Sequence, residues 1–440
     1  MNEREQAWRQ RVAERCGGAD FDAPGSGYSF GVVLAEEHEL AKANKPGDPT
    51  SALLTLSIAD PTGKMFWKAI KTAEEYYHNC PNATRYTDNT GVRGDDNLVF
   101  GGSTNALLAD WLNFRFGGGR NPFTPDWVQY SPGAIKMALS TYLPTLLFEP
   151  TTKLFFPTPG YGVVKSPMNA CGAQISDVPL VCIYKDKGLW DFDLEEMSRR
   201  CQCHHGLRVM YVNMPHNPTG AGYSRGQWIN LLEWAGTHNI VLVVDEAYTD
   251  LRYNDRTCSI LTVDGWEENC IVLQSISKGW SATGVRFGWI VGHPTIIKAV
   301  RQVMDVKDSG LFALSIAAGL TCLSESAITE ITSREYQLLH RQLQAGLTQA
   351  GFKSAMPEAG LCQFTPAPRA INGVEFTTAA ECAKWLRQEQ RISVMHYDLA
   401  KQPWLRWAVT LQPVEQCGLG DEQAIIAEAV RRLTRLKIEF

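Results

Sequence analysis

Lys278 is the residue of this 440-residue chain best placed to do chemistry. It stands in Ser275-Ile-Ser-Lys278-Gly-Trp-Ser-Ala-Thr-Gly-Val-Arg286, a stretch of small and hydroxyl-bearing residues rather than the charged company of a surface lysine. A lysine withdrawn from water loses part of its hold on the proton, and the neutral amine can condense with a carbonyl as a Schiff base. Ser275 and Arg286 flank it with a hydroxyl and a planar guanidinium, groups suited to a phosphate monoester. Asp245 follows the apolar run Ile240–Val244, so its carboxylate is expected to be partly buried and to need a cationic partner, such as a protonated ring nitrogen. Asn217, in Asn213-Met-Pro-His-Asn217-Pro-Thr-Gly220, and Tyr248, in Asp245-Glu-Ala-Tyr248, offer hydrogen bonds to a phenolic oxygen. Each segment alone has a plain structural reading: Asn-Pro-Thr-Gly makes a tight turn, and Asp-Glu after a strand can cap a helix.

Together they converge on one ligand. A phosphorylated pyridine bearing an aldehyde and a phenolic oxygen satisfies every group at once, and that molecule is pyridoxal 5'-phosphate, an electron sink for carbanions. The ordered set Asn-Pro-Thr-Gly, Asp-x-x-Tyr and Ser-x-x-Lys-x7-Arg resembles the fold-type I pyridoxal-phosphate enzymes of the aspartate aminotransferase family, the class I/II aminotransferases. The resemblance runs from about Leu53 to the C-terminus and is strongest between Phe155 and Gly292.

That resemblance implies roles position by position. Lys278 resembles the Schiff-base lysine that also shuttles a proton, and Asp245 the partner of the pyridine nitrogen. Asn217 and Tyr248 match the ligands of the ring hydroxyl, and Ser275 and Arg286 the phosphate anchors. Gly133-Ala134-Ile135 resembles the turn whose amides meet the phosphate where a helix begins. Tyr161, in Pro157-Thr-Pro-Gly-Tyr161, stands where the family stacks an aromatic ring on the cofactor. Tyr86 resembles the tyrosine that reaches the phosphate of the partner subunit, which implies a homodimer with shared active sites. Arg406, in Trp404-Leu-Arg-Trp, matches the arginine that grips the substrate carboxylate. His216 is expected to hydrogen-bond within its turn rather than to do chemistry.

The elements that must position these groups alternate strand and helix. Apolar runs at Lys153–Phe156, Val209–Val212, Ile240–Val244, Ile271–Leu273 and Trp289–Val291 read as buried strands, with helices such as Gln227–Thr237 between them. The expected architecture is α/β: a large domain over residues 53–310, whose mostly parallel sheet, of the seven-stranded type the family implies, is covered by helices. A smaller α+β domain is expected over 311–440, completed by N-terminal residues, with an arm at 1–52 rich in Gly, Pro, Ala and acidic residues. Further helices are predicted at Phe66–Tyr77, Asn105–Phe116, Ala327–Ala350 and Asp421–Lys437, with short strands near Gln363 and Arg406 and a short apolar run at Leu53–Ile58.

Composition narrows the function classes. Lys+Arg 42 against Asp+Glu 47 gives a net charge of -5, so no basic excess points to nucleic acid. No run reaches the length of a membrane span, and the N-terminal residues carry no apolar signal core, so a cytoplasmic protein is expected. Twelve scattered cysteines suit reduced thiols. Cys201, Cys203, His204 and His205 cluster, but no second ligand pair accompanies them, and no metal is expected. A non-catalytic amino-acid sensor on the same fold is the contrasting class; the first fifty residues contain no helix-turn-helix pattern.

Departures from the family pattern gather on the substrate side. Ala59 replaces the usual glycine before Asp-Pro at the substrate mouth, residues 92–102 are extra sequence, and 394–403 replace a glycine-rich stretch. The turn after Pro357 is also unusual, although it keeps Gly360. The expected reaction is transfer of the α-amino group of an L-amino acid to a 2-oxo acid. The alternative is elimination, cyclisation or oxidation on the side chain of an amino acid. Asp88, Asp95 and Asp96 would suit a basic one.

Overall fold

The computed structural model describes residues 30–61, 66–79, 103–120, 122–184, 189–201, 206–399 and 402–440, with Thr84, Thr87 and a few of the first eleven positions. The N-terminal residues 54 and 55 form a short strand, β1 (Leu54–Thr55). The central sheet has eight strands: β2 (Val128–Pro132), β3 (Lys153–Thr158), β4 (Gln174–Tyr184), β5 (Leu189–Phe192), β6 (Arg208–Asn213), β7 (Ile240–Asp245), β8 (Cys270–Ser275) and β9 (Phe287–Val291). Their order is β2-β9-β8-β7-β6-β3-β4-β5. β8, β7, β6, β3 and β4 run parallel, whereas β9 opposes both its neighbours and β5 opposes β4. The sheet thus carries one strand more than the seven expected; β5 is added at the edge as the return arm from β4.

The strand runs are apolar throughout because both faces are covered. Phe155, Met210, Val212, Leu242, Val244 and Val272 enter the core on one face. Leu154, Phe156, Val209, Tyr211, Val243, Ile271 and Leu273 enter a second core on the other. Alternate residues therefore serve opposite layers, as the two-residue strand period requires. The helix Arg225–Thr237 begins where Ser224 and Gln227 close a capping box, which fixes the crossover from β6 to β7.

A third apolar cluster combines Ala52, Leu54 and Leu56 with Leu343, Leu386, Leu405, Trp407 and other residues from the C-terminal third. Here β10 (Cys362–Pro366), β15 (Gln402–Ala408) and β14 (Met395–Leu399) make an antiparallel sheet. β11 (Ala370–Ile371), β12 (Val374–Glu375) and β16 (Ile438–Glu439) make another. β1 pairs in parallel with β13 (Ile392–Ser393), stitching the two ends of the chain together. The long helix Ala327–Gln349 packs on the helix Glu422–Leu433 at Gly346, where an added Cβ would lie 2.0 Å from a methyl of Val430.

Some expectations change. The N-terminal arm contains a helix, Phe30–Ala41, which the surrounding glycines and prolines obscured. The last helix stops at Leu433 rather than Lys437. Lys437 N–H instead donates to Asn372, and the chain leaves as β16 on β11. Within the apolar run Leu53–Ile58, Leu54–Thr55 is strand. The described cysteines are free thiols, and Cys203, His204 and His205 lie outside the described residues. Among the described residues no single helix is long and apolar enough to cross a membrane.

Candidate active site

Asn213, Asp245 and Ser275 are the last residues of the adjacent strands β6, β7 and β8. Parallel pairing sets Asn213 directly beside Asp245. Three separate sequence segments are thereby delivered to one end of the sheet, where ligands bind in open parallel sheets. A cavity of about 690 Å³ opens there.

Asp245 lies in the wall of the cavity and is buried. Its Oδ2 accepts from the Tyr211 hydroxyl at 2.7 Å and its Oδ1 from the Ala247 N–H at 3.0 Å. Burial pushes its carboxyl up to about 6, against the pull of those two donors and of Lys278. The neighbouring Glu246 is taken up by Ser259, the Ile260 N–H and Gln274, and burial raises it to about 7.

Lys278 follows β8, and its Nζ donates to the Ala59 carbonyl at 2.8 Å. Asp60 Oδ1 is 3.8 Å away. Burial lowers the ammonium to about 8; Asp60 and Cys362 oppose the shift, and Arg286 and Arg406 reinforce it. About a tenth of a group with that value is free amine at pH 7, against roughly one part in three thousand for an ordinary lysine.

One end of the cavity is built for an anion. Arg286 adopts a left-handed backbone (φ 62°), and its guanidinium donates to Thr283 O at 2.8 Å and Gly133 O at 2.7 Å. Those bonds tie it to the turn at Gly133 (φ 73°) and Ala134 (φ 58°), where a helical stretch begins. Gly288 lets these segments meet. A Cβ there would lie 2.8 Å from Gln274 O, 3.0 Å from Ala134 Cα and 3.1 Å from Ser275 Cβ.

The three-stranded sheet of the C-terminal third contributes Arg406 from β15. Its Nη1 donates to Asn217 Oδ1 at 3.0 Å and its Nη2 to the Ser57 carbonyl. Asn217 Nδ2 in turn reaches the Tyr248 hydroxyl at 3.4 Å, and burial holds that phenol well above its usual range. Asn213 underpins the turn: its Oδ1 accepts the Asn217 N–H at 2.9 Å and its Nδ2 donates to Asp245 O at 3.0 Å.

Of the residues singled out from the sequence, Ala59, Ala134, Ile135, Tyr161, Asn217, Asp245, Tyr248, Ser275, Lys278, Arg286 and Arg406 all line this cavity. Gly133 lies just behind it, bonded through its carbonyl to Arg286. Tyr86 and residues 92–102 lie outside the described residues. His216 is bonded within its turn to Thr219 at 2.8 Å, and burial lowers it to about 3. Sequence reasoning missed Asp60, Asn213 and Tyr211. The first two adjoin or belong to segments already singled out, whereas Tyr211 is hidden in an apolar strand.

This donor set fits pyridoxal 5'-phosphate. A depressed amine can meet an aldehyde, a buried carboxylate with two donors can meet a cationic ring nitrogen, and the guanidinium and hydroxyl end can meet a phosphate. The family model described as aminotransferase class I and II matches residues 51–416. The chain is 29% identical over 306 residues to the LL-diaminopimelate aminotransferase of Methanocaldococcus jannaschii, covering 68% of this chain and 71% of that one. It is 27% identical over 302 residues to the protein of that name from Methanococcus maripaludis, with coverage of 68% and 71%. An aspartate aminotransferase mutant of Thermus thermophilus has a similar fold at TM-score 0.76 and 20% identity, covering 93% of this chain and 97% of that one. The N-succinyldiaminopimelate aminotransferase of Mycobacterium tuberculosis has it at TM-score 0.74 and 21% identity, covering 92% and 96%. The chain therefore belongs to the aminotransferase class I and II family, as an enzyme that uses pyridoxal 5'-phosphate to pass an amino group between an amino acid and a 2-oxo acid.

Proposed function

We propose that Lys278 is both the amine that joins the cofactor and the base that moves the proton at the substrate Cα. When bound, pyridoxal 5'-phosphate supplies an electron-accepting ring that stabilises negative charge at that carbon. Side chains do the rest. Asp245 pairs with the ring nitrogen, Asn217 and Tyr248 bond the ring hydroxyl, and Tyr161 lies against the ring face. Ser275, Arg286 and the turn Gly133-Ala134-Ile135 hold the phosphate. Arg406 binds the substrate carboxylate, with Asn217 fixing its fork, and Ala59 borders the substrate. The observation that carries this reading is that Lys278, depressed to about 8, shares one cavity with Arg406.

The proposed donor is an L-amino acid with a second charged group, and LL-diaminopimelate is the first to test. Support comes from the names of the two methanogen relatives and from the half-exposed carboxylate of Asp60 beside Lys278, which can face a second ammonium. The division into an arm (1–52), a large domain (53–310) and a small domain (311–440) is our assignment, supported by the separate apolar cluster of the C-terminal third. A homodimer with Tyr86 crossing to the partner's site, and a cytoplasmic location, complete the reading. The test is visible absorbance of the loaded protein while LL-diaminopimelate, lysine, aspartate and glutamate are added singly without oxo acid. The band should bleach with the true donor and return with 2-oxoglutarate or another oxo acid. Loss of ammonia or water from the substrate without that return would contradict transamination. Sedimentation of the wild type, and cofactor affinity in Tyr86→Phe, test the shared site.

A further inference from the structure

Tyr211 does not itself line the cavity, yet it is bonded to the Asp245 carboxylate that does. Register explains how. Tyr211 on β6 pairs with Val243 on β7, and Asp245 follows two residues later on the same strand. The strand period turns Val243 and Asp245 to one face, so the phenol reaches the carboxylate diagonally. The ring is fully buried and stacked on Phe156, with centroids 5.4 Å apart and planes 13° apart. A phenylalanine would fill that stack equally well. The hydroxyl is a polar atom placed in an apolar core, a costly arrangement unless it is bonded. Its bond is the 2.7 Å contact with Asp245 Oδ2.

The other groups facing Asp245 are the Ala247 N–H, the Lys278 amine and the phenol of Tyr248, while the Tyr161 phenol faces Tyr211 and Tyr248. The Ala247 amide can only donate, and a donating phenol completes a setting that favours the ionised carboxylate. We propose that Tyr211 is a positioning residue: its hydroxyl keeps Asp245 ionised and oriented, and so sets the pH below which the cofactor's ring nitrogen loses its anionic partner. The proposal rests on Asp245 being that partner, as read above.

The direction is fixed by linkage. Burial already lifts Asp245 to about 6. Removing a donor to the carboxylate lifts it further, so at neutral pH more of the apo protein carries a neutral acid there. The test is the dissociation constant of pyridoxal 5'-phosphate, titrated into apo protein from pH 5.5 to 8.5, for wild type, Tyr211→Phe and Asp245→Asn. A parallel titration uses the 1-deaza analogue, which has carbon in place of the ring nitrogen. Tyr211→Phe should move the acid limb of the natural cofactor's profile up by about one pH unit, weakening binding about twofold at pH 7 and about eightfold at pH 5.5, and leave the analogue unaffected. Phe156→Leu, which loosens the stack but keeps the phenol, should lower the thermal midpoint without moving the acid limb.

Equal loss for both ligands in Tyr211→Phe would show a packing role and overturn the proposal, as would unchanged binding of both. If Asp245→Asn also leaves the natural cofactor's affinity unchanged, the reading of Asp245 itself has failed; if only Tyr211→Phe is silent, the positioning role alone has failed. Should Tyr211→Phe not fold, 3-fluorotyrosine at position 211 keeps the shape and strengthens the donor. The acid limb should then move down, and an unmoved limb would overturn the proposal.

Discussion

Arg406, on β15 of the C-terminal three-stranded sheet, and Asn217, just beyond β6 of the eight-stranded sheet, are joined by a 3.0 Å hydrogen bond from guanidinium to amide oxygen. The amide nitrogen continues to Tyr248 at 3.4 Å. One side chain therefore faces both the position proposed for the cofactor hydroxyl and the arginine proposed for the substrate carboxylate. Under the proposed roles, substrate grip and cofactor placement meet at Asn217.

Arg406→Lys should separate the two. A lysine keeps the charge but loses the planar fork. We expect kcat/KM for the amino donor to fall about 100-fold, mostly through KM, with pyridoxal phosphate affinity changed less than threefold. Steady-state kinetics alongside a cofactor titration decide it.

Lys278→Ala should abolish turnover while leaving Ser275 and Arg286, the side chains proposed to hold the phosphate, in place. The variant should still bind pyridoxal 5'-phosphate, but without the visible band of the lysine adduct. Any preserved turnover would remove Lys278 from the mechanism.

Asp245 should cost the empty protein stability. Its carboxyl stands at about 6 in the folded chain against 3.8 for the unfolded reference, so the unfolded state gives up its proton first. Folded stability therefore falls as pH rises from about 4 to 6 and stays lowered above. Asp245→Asn should stabilise apo protein at pH 7 by on the order of 3 kcal/mol, with little of that gain left near pH 4. Denaturant titrations at the two pH values check the sign, and cofactor affinity should move the opposite way.

Asp60 raises the Lys278 ammonium, so Asp60→Asn should push it further below its value of about 8. The rate of amine labelling by an acylating reagent, followed against pH in apo protein, should show its midpoint moving to lower pH. An unchanged midpoint would mean that the 3.8 Å pair carries no weight in solution.

Gly288→Ala should damage the anion end selectively. The new methyl meets Gln274 O and Ala134 Cα, both backbone, and neither can give way cheaply. We expect a loss of about 1–3 kcal/mol in stability and weaker binding of inorganic phosphate, both measurable on apo protein.

Much of the site could be read from the chain because its parts are local. Asp245 and Ser275 close buried strands, and Asn217, Tyr248 and Lys278 lie a few residues beyond one, so their apolar preludes announce them. Tyr211 had no such signal, since a tyrosine inside Arg208–Asn213 looks like one more core residue until the register is known. The helix Phe30–Ala41 was masked by its glycine-rich surroundings. The last helix read too long because apolar spacing continues to Leu436, whereas pairing of β16 with β11 ends it sooner.

The pairing of β1 with β13 also bears on when the enzyme becomes competent during its synthesis. The Ala59 carbonyl that holds Lys278 lies a few residues beyond β1, and β1 has no strand partner until Ile392 has been made. Arg406 is made later still. A ribosome-bound chain carrying the whole parallel sheet would thus have its lysine and the Ala59 carbonyl, but not the strand pairing beside that carbonyl nor the arginine that shares the cavity. Pairing residues so distant in sequence is slow because the intervening loop must first be closed. The reactive amine is therefore assembled into a working site only once both ends of the polypeptide have met.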